Sequence, residues 1–227
     1  VIVASHQPAY LPWLGYFDKL IRSDVFVVSD DVQYTRSDYF NRNYVKTANG
    51  RVLLTVPVSM QSNSRPPICE LRLASVPWQQ RHLATVQAAY RRAPCFDELW
   101  PELQALYSRP ATHLHRLCFD HLAFWLDWLG VQTTIKRASE LSAQGTKSER
   151  VLSICNLLSA TSYLAGAGAR DYLDVAAFER SGVAVSFQNY KPVAYTQLYG
   201  AFEPRLGVVD LAMNVPRNEL VDVILAG

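Results

Sequence analysis

Close cysteine pairs are missing from this chain. Cys69, Cys95, Cys118 and Cys155 are its four cysteines, and no C-x-x-C occurs among them. The usual zinc-site and redox-pair spacings are therefore excluded. A chain this apolar needs no disulfide staples, so free thiols and a cytoplasmic setting are expected. Long apolar runs are missing too. The longest candidate, Leu114 to Val131, is broken by Arg116, Asp120, His121 and Asp127, short of the roughly 18 unbroken residues of a membrane span. Val1-Ile2-Val3-Ala4 runs straight into polar residues, which reads as no signal peptide. No single sign of charge dominates: 22 Lys and Arg stand against 20 Asp and Glu, a net charge of +2. That excludes the basic field on which general nucleic-acid binding depends. Gly15 stands alone, with neither G-x-G-x-x-G nor a P-loop. No cofactor and no metal is expected.

What is there is a dense polar and aromatic signature in the first 57 residues. His6-Gln7-Pro8-Ala9-Tyr10-Leu11-Pro12-Trp13 is followed by Ser29-Asp30-Asp31-Val32-Gln33-Tyr34 and Asn41-Arg42-Asn43-Tyr44-Val45-Lys46. The first two clusters come directly after apolar runs that read as strands, Ile2 to Ala4 and Val25 to Val28. In open α/β sheets, ligands bind beyond the carboxyl ends of strands. The pattern therefore predicts a site built from strand ends, and an enzyme.

The apolar spacing of Leu14, Phe17, Leu20 and Ile21 predicts a helix between those strands, and so a parallel βαβ unit. Asp30 to Gly50 reads as a long polar loop, which inside a compact domain is usually functional. Asn49-Gly50 predicts a tight turn into a strand over Arg51 to Val58. Ser59 to Pro67 reads as a mobile loop, and Ile68 to Leu73 as a further strand. Helical periodicity then covers Trp78 to Tyr90, Phe96 to Tyr107 and Ala111 to Leu129, with Pro94, Pro101 and Pro110 placed at helix starts. Alternation resumes with strands over Val131 to Lys136, Thr161 to Leu164 and Val183 to Phe187. Helices are expected over Ser148 to Leu158, capped by Ser148, and over Val175 to Arg180. The expected fold is α/β: a mostly parallel Rossmann-like sheet with a helical insertion or subdomain in the middle of the chain. Residues 1–75 and 131–227 would form the α/β domain and 76–130 the insertion.

The patterns H-Q-P-x-Y-L-P-W-x-G-Y-F, D-x-F-V-x-x-D-D-V-Q-Y and N-R-N-x-x-K resemble the WbqC-like family. Ala160-Thr161-Ser162-Tyr163-Leu164-Ala165-Gly166, Phe187-Gln188, Tyr195-Thr196-Gln197 and Val208-Val209-Asp210-Leu211 extend the resemblance over nearly the whole chain. Ala165 departs from it, at a position where a serine is expected. The resemblance implies a role in O-antigen and other glycan assembly or in natural-product pathways. The implied chemistry is decoration of an amino sugar by transfer of an aminoacyl or acyl group.

The residues themselves suggest how. His6 is the acid/base candidate, since imidazole titrates near neutral pH. Asp30 or Asp31 would orient it or bind an amine, with an Asx-turn as the structural alternative. Asn41, Arg42, Asn43 and Lys46 suit phosphate and sugar hydroxyls, as a nucleotide sugar or a carrier protein's phosphopantetheine arm would present. Gln7, Tyr10, Gln33 and Tyr34 join them as binding candidates. Tyr163, Gln188, Tyr195 and Gln197 are expected to close the opposite wall. Cys155 is a candidate nucleophile that could relay an acyl group from a thioester. It also lies on an apolar helical stripe with Val151, Leu152, Ile154 and Leu158, where a thiol is inert. His113, His115 and His121 have no metal-ligand spacing and read as a solvated or partner-facing helix.

The leading expectation is a transferase acting on the amine of an amino sugar or related metabolite, with an acyl or peptidyl carrier protein as a possible partner. Two alternatives are a nucleotidyltransferase-like enzyme, and a non-enzymatic adaptor that binds a carrier protein or glycan enzyme through Trp78, Trp100, Trp125 and Trp128.

Overall fold

The computed structural model describes residues 1–36, 38–61 and 65–227. Among these, five parallel strands form the central sheet: β1 (Ile2–His6), β2 (Val25–Val28), β7 (Thr134–Arg137), β8 (Ser162–Ala165) and β9 (Ala184–Phe187), in the order β7-β2-β1-β8-β9. Helix α1 (Leu14–Ile21) joins β1 to β2, as the apolar spacing predicts. Val3 pairs with Val25, and His6 with Val28. The chain reaches β7 outside β2, then returns to the far side of β1 for β8 and β9. The direction of travel therefore reverses between β1 and β8, the switch point at which open α/β sheets hold ligands.

Side-chain alternation splits the sheet between two cores. Ala4, Phe26 and Val28 face one cluster, which includes Phe17 and Leu20 of α1 and the long middle helices α2 (Trp78–Tyr90), α3 (Phe96–Ser108) and α4 (Leu114–Leu129). Helices α7 (Val208–Asn214) and α8 (Leu220–Leu225) complete that layer. Val3 and Val27 face the opposite cluster, filled by Ile154 and Cys155 of α5 (Lys147–Leu157) and Phe178 of α6 (Val175–Arg180). The result is a Rossmann-like sheet covered on both faces.

Several local expectations need correction. The stretch Asp30 to Gly50 is not one long loop. Arg42–Thr47 is a strand, β3, paired antiparallel with β4 (Gly50–Thr55). Gly50 turns the hairpin with φ of 100°, a conformation that side chains avoid. Ile68 to Leu73 divides into a 3₁₀ turn at Ile68–Glu70 and the short strand β6 (Arg72–Leu73), which pairs with β5 (Val58–Ser59). Residues 62–64 of the Ser59 to Pro67 stretch lie outside the described residues. Pro101 sits inside α3 rather than at its start, removing one intrahelical hydrogen bond. Thr146, not Ser148, is the N-cap of α5, and the Ser148 hydroxyl instead accepts from the Asp174 amide at 2.8 Å. His121 is not on a solvated face: it is 1% exposed, beside Tyr10 and Tyr107. Trp78, Trp125 and Trp128 are core residues too, so they offer no docking surface. The four cysteines are free thiols.

Candidate functional site

At the switch point the sheet opens into a cavity of about 780 Å³. Its floor is the carboxyl end of β1, where Ser5, His6 and Gln7 meet Lys19 of α1. Tyr163 of β8 and the Gly166–Ala169 turn form one wall, and Gln188 and Tyr190 extend it. Lys147 and Arg150, from the first turn of α5, stand on another side. Trp13 closes the remaining side, its ring edge-on to Tyr190 with centroids 5.5 Å apart. Gly15 makes that placement possible, because a Cβ there would lie 2.3 Å from the indole.

His6 is half-buried, and its Nδ1 lies 3.1 Å from the Gln7 carbonyl oxygen. A carbonyl only accepts, so Nδ1 carries the proton and Nε2 keeps its lone pair. Burial, and then the positive charge of Lys19, pull its pKa down to about 3, against a small opposing effect of the Gln7 carbonyl. The imidazole is therefore neutral at physiological pH.

Lys19 is only 3% exposed. Its ammonium donates to the Ser5 carbonyl at 2.8 Å, and burial lowers its pKa to about 8. Among the described residues it forms no ion pair. Sequence reasoning missed Lys19 because it falls between apolar positions of an amphipathic helix, where a lysine normally points to solvent. Only the strand-to-helix crossover folds it back under β1.

The other candidates divide into two groups. His6, Gln7, Tyr163 and Gln188 line the cavity. Tyr163 hydroxyl lies 2.8 Å from Ser5 Oγ. Gln188 donates to the Gly15 carbonyl and to Asp18, which ties the segment after β9 to α1. Asp31 reaches the cavity only through its ion pair with Arg150. Asp30 is fully buried and accepts from the Ser139 amide and hydroxyl at 2.9 and 2.8 Å. Neither aspartate takes up the His6 hydrogen bond, which goes to Gln7.

The asparagine-rich segment does not join the cavity. Asn41 is buried between the Tyr34 hydroxyl and the Val56 carbonyl, and Asn43 donates to the Leu11 carbonyl. Arg42 donates to the Arg36 carbonyl. Lys46 donates to Gln197 Oε1 and to the Ala201 carbonyl at 3.1 and 2.6 Å. Gln197 and Tyr195 both donate to the buried carboxylate of Asp210. Tyr10 hydroxyl bonds His82 and Tyr107 in the core, and Gln33 is a surface residue bridged to Pro67. The backbone explains these placements. Strand β3 carries its side chains alternately to its two faces: Asn43 and Val45 are buried on one, and Lys46 is buried beside the half-buried Arg42 and Tyr44 on the other.

Cys155 is fully buried in the second core, off the cavity walls. Burial pushes its thiol up to about 12, which leaves no thiolate at neutral pH. Among the described residues, no cluster of His, Cys, Asp and Glu could hold a metal ion, and no helix is long and apolar enough to cross a membrane.

Fold and cavity together define an α/β protein of Rossmann-like strand order with a cationic pocket at its switch point. Residues 7–221 match the model of the WbqC-like protein family, and the chain belongs to that family. It is 33% identical over 215 residues to the uncharacterized protein Rv1507c of Mycobacterium tuberculosis, covering 94% of this chain and 93% of that one. No solved structure gives a significant match.

Proposed function

We propose that the strand-end cavity is the active site of a transferase. It moves an acyl or aminoacyl group from an activated donor, a thioester or similar, to the amine of an amino sugar or related metabolite in glycan or natural-product biosynthesis. The observation that carries this reading is the pairing of a neutral imidazole with a buried ammonium at the carboxyl end of β1.

Acylating an amine forms a C–N bond, breaks the C–S bond of the donor and moves one proton from nitrogen to the departing thiolate. Nε2 of His6 has the lone pair to accept that proton and pass it on. Burial first and the Lys19 charge second keep His6 neutral in the empty site, and an anionic group of the substrate beside Lys19 offsets that positive charge, raising the imidazole's affinity for the proton. With Cys155 sealed in the core, transfer is direct rather than through a thioester on the enzyme. The cavity is large enough for a sugar amine and the end of a pantetheine arm, which makes an acyl or peptidyl carrier protein a partner under this reading.

The test is incubation of the protein with amino sugars, free or nucleotide-linked, and acyl or aminoacyl thioesters. Product is followed by mass. Turnover is expected, and His6→Ala is expected to lower it by about 10²- to 10⁴-fold. A His6→Ala rate equal to that of the parent would remove the imidazole from the mechanism.

A further inference from the structure

We infer that the cavity binds the phosphate oxygens of its ligand, with the ammonium of Lys19 as the anchoring charge. Three cationic side chains, Lys19, Lys147 and Arg150, line the cavity, and among the described residues none of its lining side chains is acidic. Asp31 already neutralises Arg150. Among the described residues Lys19 has one backbone carbonyl as its hydrogen-bond partner and no counter-ion. A buried ammonium without a counter-ion is costly to maintain. At the floor of an open cavity, an anionic ligand completes it. Gly166 leaves the approach clear, since a Cβ there would stand 3.4 Å from the Lys19 nitrogen. Burial lowers the Lys19 pKa only to about 8, so the charge persists at neutral pH.

Phosphate oxygens, rather than a lone carboxylate, fit a cavity of about 780 Å³ with a second cation, Lys147, in its lining. This takes the phosphate-binding role away from Asn41, Arg42, Asn43 and Lys46, none of which lines the cavity, and gives it to Lys19. It deepens the transferase reading, since it rests on the same cavity, but it does not depend on the reaction.

Both substrates of such a transfer carry phosphates: a nucleotide-linked sugar, and a donor on a phosphopantetheine arm. Calorimetry on the full chain with uridine diphosphate, coenzyme A and inorganic pyrophosphate separates these sources. Binding of either organic ligand, displaced by pyrophosphate, is expected. Uridine diphosphate alone points to the acceptor and coenzyme A alone to the donor. Lys19→Met, with its fold checked by circular dichroism, should bind at least tenfold more weakly, and Lys147→Ala severalfold more weakly.

Should Lys19→Met fail to fold, acetylation of the parent protein supplies the second measurement. Bound ligand should slow modification of Lys19 and leave the Lys191 rate unchanged. The inference is overturned by no binding of any probe at millimolar concentration, by a folded Lys19→Met that binds like the parent, or by Lys19 acetylation indifferent to bound ligand. Binding without turnover would count against the transferase reading alone, and turnover without phosphate binding against this inference alone.

Discussion

At the scale of single residues, the core holds two imidazoles in their neutral form. His82 Nδ1 shares a hydrogen bond with the Tyr10 hydroxyl at 2.7 Å, and burial lowers its pKa to about 4. His121 is deeper, with neither ring nitrogen hydrogen-bonded among the described residues, and burial lowers it to about 3. Both titrate near 6.5 in an unfolded chain. Below pH 6.5 the unfolded state takes up protons that the folded state refuses, so stability falls with pH. It continues to fall until about pH 4 for His82 and about pH 3 for His121. Above 6.5 neither contributes a slope. Each adds about 1.4 kcal/mol of destabilisation per pH unit within its window. Denaturant midpoints measured from pH 7.5 down to pH 4.5 should therefore drop steeply, and His121→Met should flatten the curve. Midpoints unchanged between pH 6.5 and 5 would mean that the core accepts these protons. The sequence shows His82 on α2 and His121 on α4 but not this burial, because helical spacing alone does not say which face the neighbouring elements cover.

At the scale of elements, α1 links the sheet to the cavity. Its apolar spacing made the helix legible, and with it the parallel pairing of β1 and β2. The role of its first turn was not legible, since it depends on Trp13 lying across Gly15. A Gly15→Ala change puts a methyl group 2.3 Å from the indole, so the ring must leave the cavity wall. The expected outcome is a shifted tryptophan emission and weaker uridine diphosphate or coenzyme A binding. Emission and affinity equal to those of the parent would show that Trp13 is not held there by the glycine. The hairpin β3–β4 was only half legible. Asn49-Gly50 marked its turn, but the polar residues of β3 hid the strand, since buried asparagines on a covered strand look like loop residues until their partners are known.

At the scale of the whole molecule, the motif residues separate into a cavity and a lock. The cavity is made by strand ends, and the rule for open parallel sheets located it from two apolar runs and the histidine that follows the first. The lock joins distant segments. Asp210 of α7 accepts from Tyr90 of α2 at 2.9 Å, from Tyr195 at 2.7 Å and from Gln197 at 2.8 Å, while Lys46 of β3 holds Gln197 and the Ala201 carbonyl. Lys46 and Gln197 lie 151 residues apart, and Tyr195 and Gln197 meet Asp210 only across an irregular segment; neither pairing can be read from one sequence, so Lys46, Tyr195 and Gln197 looked like substrate ligands. The two roles have opposite signatures. Lys46→Met removes the donor to the Ala201 carbonyl and one of the two donors to Gln197 Oε1, which keeps the Glu203 amide, at a cost of about 1 kcal/mol, or about 2–4 °C in melting temperature for a chain of this size. Affinity for uridine diphosphate or coenzyme A should be unchanged in the folded protein. A Lys46→Met variant that melts like the parent but binds either ligand tenfold more weakly would return Lys46 to the binding site, and would show that the hairpin reaches the cavity when ligand is present.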